Sequence, residues 1–213
     1  MTLVEKDEIL RIVKIETAPY GTNAYIVVCE TTGESVLIDA PGDADKILDK
    51  LEETNPICIL ITHRHMDHTG VLQRLKDELN VPVAVHMDDA DSLPIEGDML
   101  LEDGNIISFG NVTLDVLHTP GHTPGSVCFL TGNILLAGDT IFPGGPGKTG
   151  TPDDFKKIVD SLEQKIFSLP GDVKIYPGHG ESTTVKKARE EFVIFSAKSH
   201  DVNLCGDVLW LKD

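Results

Sequence analysis

His63-Arg64-His65-Met66-Asp67-His68 follows the apolar run Ile57-Cys58-Ile59-Leu60-Ile61 after a single threonine. Three imidazoles and a carboxylate within six residues exceed what a folding core requires. Imidazole and carboxylate are the usual donors to zinc, iron and manganese. The stretch therefore reads as part of a metal site set at the end of a buried strand. Arg64 and Met66 are its spacers; if the neighbouring donors point inward, these two point away, toward packing or surface pairing.

The remaining candidate donors share that placement. The apolar run 112–117 leads into His118-Thr119-Pro120-Gly121-His122, the run 134–137 into Gly138-Asp139, and the run 173–176 into Pro177-Gly178-His179. Strand ends can be gathered along one edge of a sheet, where loops hold functional groups on a rigid scaffold. The Gly and Pro residues beside each donor fix the turns and let backbones approach closely.

Seven donors result: His63, His65, Asp67, His68, His122, Asp139 and His179. One zinc takes three or four protein ligands, so seven suit two ions that share a carboxylate. The natural partition sets His63, His65 and His122 on one ion and Asp67, His68 and His179 on the other, with Asp139 bridging. Paired ions of this kind lie ~3.5–4 Å apart and lower the pKa of a bound water to about 7. With neutral imidazoles, two aspartates and a hydroxide, such a centre keeps about one net positive charge. It can then make a nucleophile near neutral pH and still attract the oxyanion formed at an attacked carbonyl. The expected cofactors are two divalent ions, zinc first, with iron or manganese as alternatives.

His-x-His-x-Asp-His, then an isolated His, then Gly-Asp, then Gly-His resembles the metallo-β-lactamase superfamily. The stretches HTPGHTPG at 118–125, GDTIFPGGPG at 138–147 and YPGHG at 176–180 are more narrowly similar to its glyoxalase II-like, hydroxyacylglutathione hydrolase branch. The resemblance runs in order from about Tyr25 to Gly180. It implies an αββα sandwich, two mixed β-sheets flanked by helices, with a binuclear site at one edge. It suggests Asp39, in Leu37-Ile38-Asp39-Ala40-Pro41-Gly42, as a residue supporting the metal loop. The implied chemistry is attack of a bridging hydroxide on a thioester or related acyl ester, with Asp67 both binding metal and orienting the nucleophile. The alternatives are a persulfide dioxygenase-like oxidoreductase with one iron on His63, His122 and Asp139, or another hydrolase of this fold, a lactonase or phosphodiesterase.

Two departures bear on substrate. Glyoxalase II proper adds a helical C-terminal domain whose basic residues help hold glutathione, whereas residues 180–213 here read as one helix and a tail. Where that family tends to show Gly-Cys-Gly-Arg, this chain has Gly145-Pro146-Gly147-Lys148, which makes Lys148 the candidate contact for a substrate anion. The same string lacks the first glycine of a phosphate-binding loop, because Phe142 stands there. His118 is a candidate to tune the site; His86 and His200 read as hydrogen-bonded structural residues.

The bulk numbers agree with an ordinary folded enzyme. The chain has 213 residues and 40% hydrophobic residues, which suits one domain over 1–213. A formal charge of −17 argues against nucleic acid or anionic membrane as partner and leaves a small-molecule substrate. Neither a spanning segment nor a signal-type N-terminus is visible, so a cytoplasmic location is expected. Four widely spaced cysteines without a C-x-x-C pair read as reduced thiols.

The pattern predicts strands over 11–16, 23–29, 35–39, 57–62, 83–86, 106–109, 113–118, 126–130, 134–137 and 173–176. It predicts a helix capped by Asp43, another started by Thr69 or Asp67 with Val71, Leu72, Leu75 and Leu79 on one face, and a last one carrying Val185, Ala188, Phe192 and Phe195. The best start signal is Thr151-Pro152-Asp153-Asp154.

Overall fold

The computed structural model describes residues 2–211. Seven strands form the first sheet in chain order: β1 (Thr2–Lys6), β2 (Leu10–Thr17), β3 (Thr22–Cys29), β4 (Glu34–Ile38), β5 (Asn55–Leu60), β6 (Val83–His86) and β7 (Met99–Leu101). Pairing is antiparallel through β4 and parallel from β4 to β7. The chain continues with β8 (Ile106–Phe109), β9 (Val112–His118), β10 (Val127–Thr131), β11 (Ile134–Gly138), a short ribbon β12 (Ile141–Phe142) and β13 (Gly145–Pro146), then β14 (Lys174–Pro177) and β15 (Thr183–Thr184). The second sheet has the order β15-β14-β11-β10-β9-β8, and only β11 and β14 run parallel.

Side-chain alternation explains the layers. On β3, Tyr25, Val27 and Cys29 face the second sheet and join Val116, Phe129 and Leu136 in the central core. Ala24, Ile26 and Val28 face the other way, onto α1 (Ala44–Leu51) and α3 (Leu72–Leu79). Leu135 and Ala137 of β11 likewise turn from that core toward α5 (Pro152–Ser161), the π-helical turn Leu162–Ile166 and α6 (Val185–Ser196). A strand buried on both faces needs apolar residues at every position, which is why these strands read as unbroken Val/Ile/Leu runs. The helix–sheet–sheet–helix sandwich is the expected αββα fold.

Two helix starts differ from expectation. Asp43 does precede α1, but its backbone is left-handed (φ 48°) and its side chain makes no capping bond. Its carboxylate turns away and accepts from the Ala18 N–H at 3.0 Å. Neither Thr69 nor Asp67 starts α3, because both lie in a separate turn, α2 (Met66–Thr69), and Val71 precedes α3. Thr151 caps α5 as expected, its hydroxyl accepting from Asp154 N–H at 3.2 Å. Cys29, Cys58, Cys128 and Cys205 are all free thiols, the first three buried. No helix among the described residues is long and apolar enough to cross a membrane.

Candidate metal centre

Each donor loop leaves the edge where the two sheets meet, and backbone bonds lock the loops together. Val127 N–H donates to Thr62 O at 2.9 Å, Asn23 N–H to Gly178 O at 2.7 Å, and Gly178 N–H to Gly138 O at 2.8 Å. Two glycines permit this packing. A Cβ on Gly147 would lie 1.8 Å from the Asp139 carbonyl oxygen. One on Gly178 would lie 2.2 Å from Asp139 Oδ1 and 2.6 Å from His68 Cε1, in the middle of the cluster.

All seven sequence-predicted donors converge. His122 Nε2 lies 2.9 Å from His65 Nδ1 and 3.2 Å from His63 Nε2. His179 Nε2 lies 3.1 Å from Asp67 Oδ2 and 3.3 Å from His68 Nε2. Asp139 stands between the two groups, with Oδ1 3.3 Å from His68 Nε2 and Oδ2 3.6 Å from both His122 Nε2 and His179 Nε2. His63, His65 and His122, and likewise Asp67, His68 and His179, each bring one donor atom within 4.8 Å of the others, a spacing that could hold an ion.

The outer nitrogens decide which way the lone pairs point. His122 Nδ1 is 2.7 Å from the Lys148 carbonyl, which only accepts, so Nδ1 carries the proton. His68 Nδ1 donates to Asp39 Oδ2 at 2.7 Å. The Thr62 hydroxyl donates to Asp39 Oδ2 at 2.8 Å, so it accepts from His63 Nδ1 at 3.1 Å. In the neutral form the inner Nε2 of each ring therefore aims a lone pair at the cluster. Lone pairs facing one another at 3 Å repel unless a cation lies among them. Asp139 Oδ1 adds a buried carboxylate oxygen with no hydrogen bond. The donor set thus fits divalent ions.

Asp39, the residue suggested as a support of the metal loop, lies against His68 and Thr62. It is buried, has φ 63°, and accepts from Thr62 N–H at 2.8 Å as well as from His68 and the Thr62 hydroxyl. His118 lies beside the centre rather than in it. Its Nε2 donates to Pro124 O at 2.8 Å and its ring stacks on His86 at 3.8 Å. Met66 is exposed and Arg64 turns toward Asp89, as spacers should. His200 stacks on Phe195 at 3.8 Å and bonds its carbonyl.

Charge is distributed unequally between the two groups. Burial, then the neighbouring imidazoles, holds His63 well below the usual histidine value, and burial also lowers His65 and His122. These three are neutral at pH 7. Burial opposes charge on His68 as well, but Asp39 and Asp139 overcome it and push the pKa up to about 10. Burial works to raise Asp139, but the close approach of His68, with the charges of His122 and His179, carries it below the usual carboxylate value. A proton on His68 thus stands in for the cation. To bind a metal, His68 Nε2 must first lose that proton. Affinity at the Asp67–His68–His179 group is therefore expected to rise with pH, roughly tenfold per unit below 10. The three-imidazole group should change little between pH 7 and 9. Competition titrations against a chelator at several pH values measure both slopes, and equal slopes would contradict the assignment.

A cavity of about 270 Å³ opens beside the centre, with His122 and Asp139 at its floor and Phe142, Lys148, Asp207 and Leu209 in its walls. The last two come from the C-terminal segment, which the sequence presents as a tail. Thr149 and Gly206 exchange backbone bonds at 3.0 and 3.1 Å, and Trp210 N–H donates to Gly144 O at 2.8 Å. Trp210 is fully buried among Phe167, Phe192 and Phe195. A lone Trp near a chain end is the only signal of this in the sequence. Asp89, buried between two donor loops, escapes sequence reasoning altogether; nothing in Met87-Asp88-Asp89-Ala90 separates it from its acidic neighbours.

Known proteins with these features are numerous. The chain is 36% identical over 168 residues to a hydroxyacylglutathione hydrolase of Aeromonas salmonicida, covering 76% of this chain and 63% of that one. It is 30% identical over 188 residues to the hydroxyacylglutathione hydrolase GloC of Haemophilus influenzae, covering 78% and 89%. Among solved structures, TTHA1623 in a di-iron-bound form superposes with a TM-score of 0.71 at 30% identity, covering 82% of this chain and 96% of that one. The sequence profile of the metallo-beta-lactamase superfamily matches residues 17–179, and the chain belongs to that superfamily.

Proposed function

We propose that the chain is a two-metal acyl hydrolase that cleaves a thioester or related acyl ester, similar to its hydroxyacylglutathione hydrolase relatives. The observation that carries this reading is the position of Asp139: one carboxylate, largely shielded, faces both donor groups and lines the adjoining cavity. A pair of divalent ions, zinc or the iron found in the di-iron relative, supplies a Lewis acid for the carbonyl oxygen and a water acidified to about pKa 7.

The chain's own residues bind, orient and neutralise. Asp67 would hold the outer side of its group, where its carboxylate, 3.1 Å from His179, would orient the nucleophile. Lys148 fixes His122 through its carbonyl and lines the cavity, which makes its side chain the candidate partner for a substrate anion. Phe142 and Leu209 shield the acyl chain from water. No Ser or Cys nucleophile is required.

The test couples elemental analysis of protein purified without added metal to an assay panel of thioesters, lactones, phosphodiesters and glutathione persulfide, run with and without oxygen. Two metals per chain and oxygen-independent thioester hydrolysis are expected. One iron per chain, with oxygen uptake on the persulfide, would replace this reading by an oxidoreductase built on His63, His122 and Asp139.

A further inference from the structure

Asp89 lies outside the donor set, yet its carboxylate is where two donor loops are fastened. It sits on α4 (Met87–Ala90), just after β6, and is fully buried. Oδ2 accepts from the backbone N–H of Arg64 at 3.0 Å and from the Thr123 hydroxyl at 2.6 Å. Oδ1 accepts from Gly125 N–H at 3.0 Å, and Arg64 Nε lies 3.8 Å from it. Arg64 separates His63 from His65, and Thr123 follows His122. A single side chain thus ties together the two segments that supply the three-imidazole group.

The approach is close on every side. A Cβ on Gly125 would lie 2.7 Å from Asp89 atoms. Thr123 is braced further by Ser126, whose Oγ accepts from Thr123 N–H at 3.0 Å. The second group is held by other means. Asp39 fixes His68, while Asn23 Nδ2 and Tyr25 Oη bond Pro177 O at 3.0 and 2.7 Å beside His179. No bond from Asp89 reaches Asp67, His68, Asp139 or His179 among the described residues.

We infer that Asp89 is a positioning residue for one half of the centre: it sets the spacing of His63 and His65 against His122, and so the metal affinity of that half alone. The physical reason is that a metal site tolerates only about 0.2 Å of error in its donor distances. Without the carboxylate, three buried donors lose their acceptor and the loops have nothing to hold them at that separation. An amide would not serve, because its NH2 faces N–H or hydroxyl donors.

The inference rests on the two-metal reading, and the test separates the two. Wild type, Asp89→Asn, Asp89→Ala and the milder Thr123→Val are stripped of metal and titrated with Co²⁺, following both stoichiometry and absorption bands. A His65→Ala control assigns the bands of the three-imidazole half. Wild type is expected to hold two Co²⁺ per chain. The Asp89 variants should bind 10- to 100-fold more weakly at the three-imidazole half, with the other half unchanged and the far-UV circular dichroism preserved. Thr123→Val should shift the same half, by less. Unchanged affinities, or parallel weakening of both halves, would overturn the inference. If the Asp89 variants do not fold, Thr123→Val decides by the same criterion. Fewer than two Co²⁺ on wild type would refute the two-metal reading, and this inference with it.

Discussion

Asp139→Ala is expected to abolish hydrolysis and to lower the metal content of both halves together. The reason lies in what each oxygen faces. Oδ1 approaches His68 at 3.3 Å, while Oδ2 lies 3.6 Å from one imidazole of each group. Removing the side chain leaves each half with three donors, takes away the negative charge that offsets two cations, and opens the cavity floor. Loss of turnover to about one thousandth or less is expected, the scale on which a single transition-state stabiliser acts. Elemental analysis after dialysis and initial rates on the thioester check it. Loss of one metal with the other held at wild-type affinity would make Asp139 a terminal ligand, and full retention of activity would remove it from the mechanism. Asp139→Asn sharpens the result: the amide keeps the volume but not the charge, so it should retain the fold and lose metal nearly as fully.

Most of this centre is legible in the sequence because three of its donor loops follow strands whose last residues are buried on both faces. Such strands leave uninterrupted apolar runs, and the first polar residue past each run is conspicuous. His63, Asp139 and His179 stand out in that way, and the bounds of the fully buried Val83–His86 coincide with its run; His122 follows an alternating strand and is marked instead by its Pro-Gly turn. Where that contrast vanishes, so does the signal. Thr2–Lys6 and Met99–Leu101 are edge strands with exposed faces, and β12, β13 and β15 have two residues each, too few to show a period. The Asp43 carboxylate does not cap its helix because it accepts from Ala18 N–H instead, a contact across 25 residues that residue type alone does not reveal. Asp89 meets Arg64 and Thr123 across 25 and 34 residues, and only the fold brings them together.

Trp210→Ala is expected to release the cavity wall while leaving the metals in place. Trp210 packs 5.3 Å from Phe192 and 6.2 Å from Phe167, ring centre to ring centre, and is fully buried. Truncating a core aromatic of this size costs about 3–5 kcal/mol, roughly 10 °C in Tm for a chain of this length. The loss is local in its consequences. Segment 205–211 is otherwise held to the ribbon loop by the Thr149–Gly206 pair and the Trp210–Gly144 bond, and these few backbone bonds are not expected to hold it without the anchor. Asp207 and Leu209 then leave the cavity, while His122, held by the Lys148 carbonyl, and Asp139, at the end of β11, are expected to stay. A severalfold higher KM with two metals retained and kcat little changed is therefore expected, together with faster amide exchange over 205–211. Trp210→Phe, which keeps most of the packing, should fall between the two. Faster exchange in that segment with KM unchanged would show that the segment stabilises the second sheet but does not touch substrate.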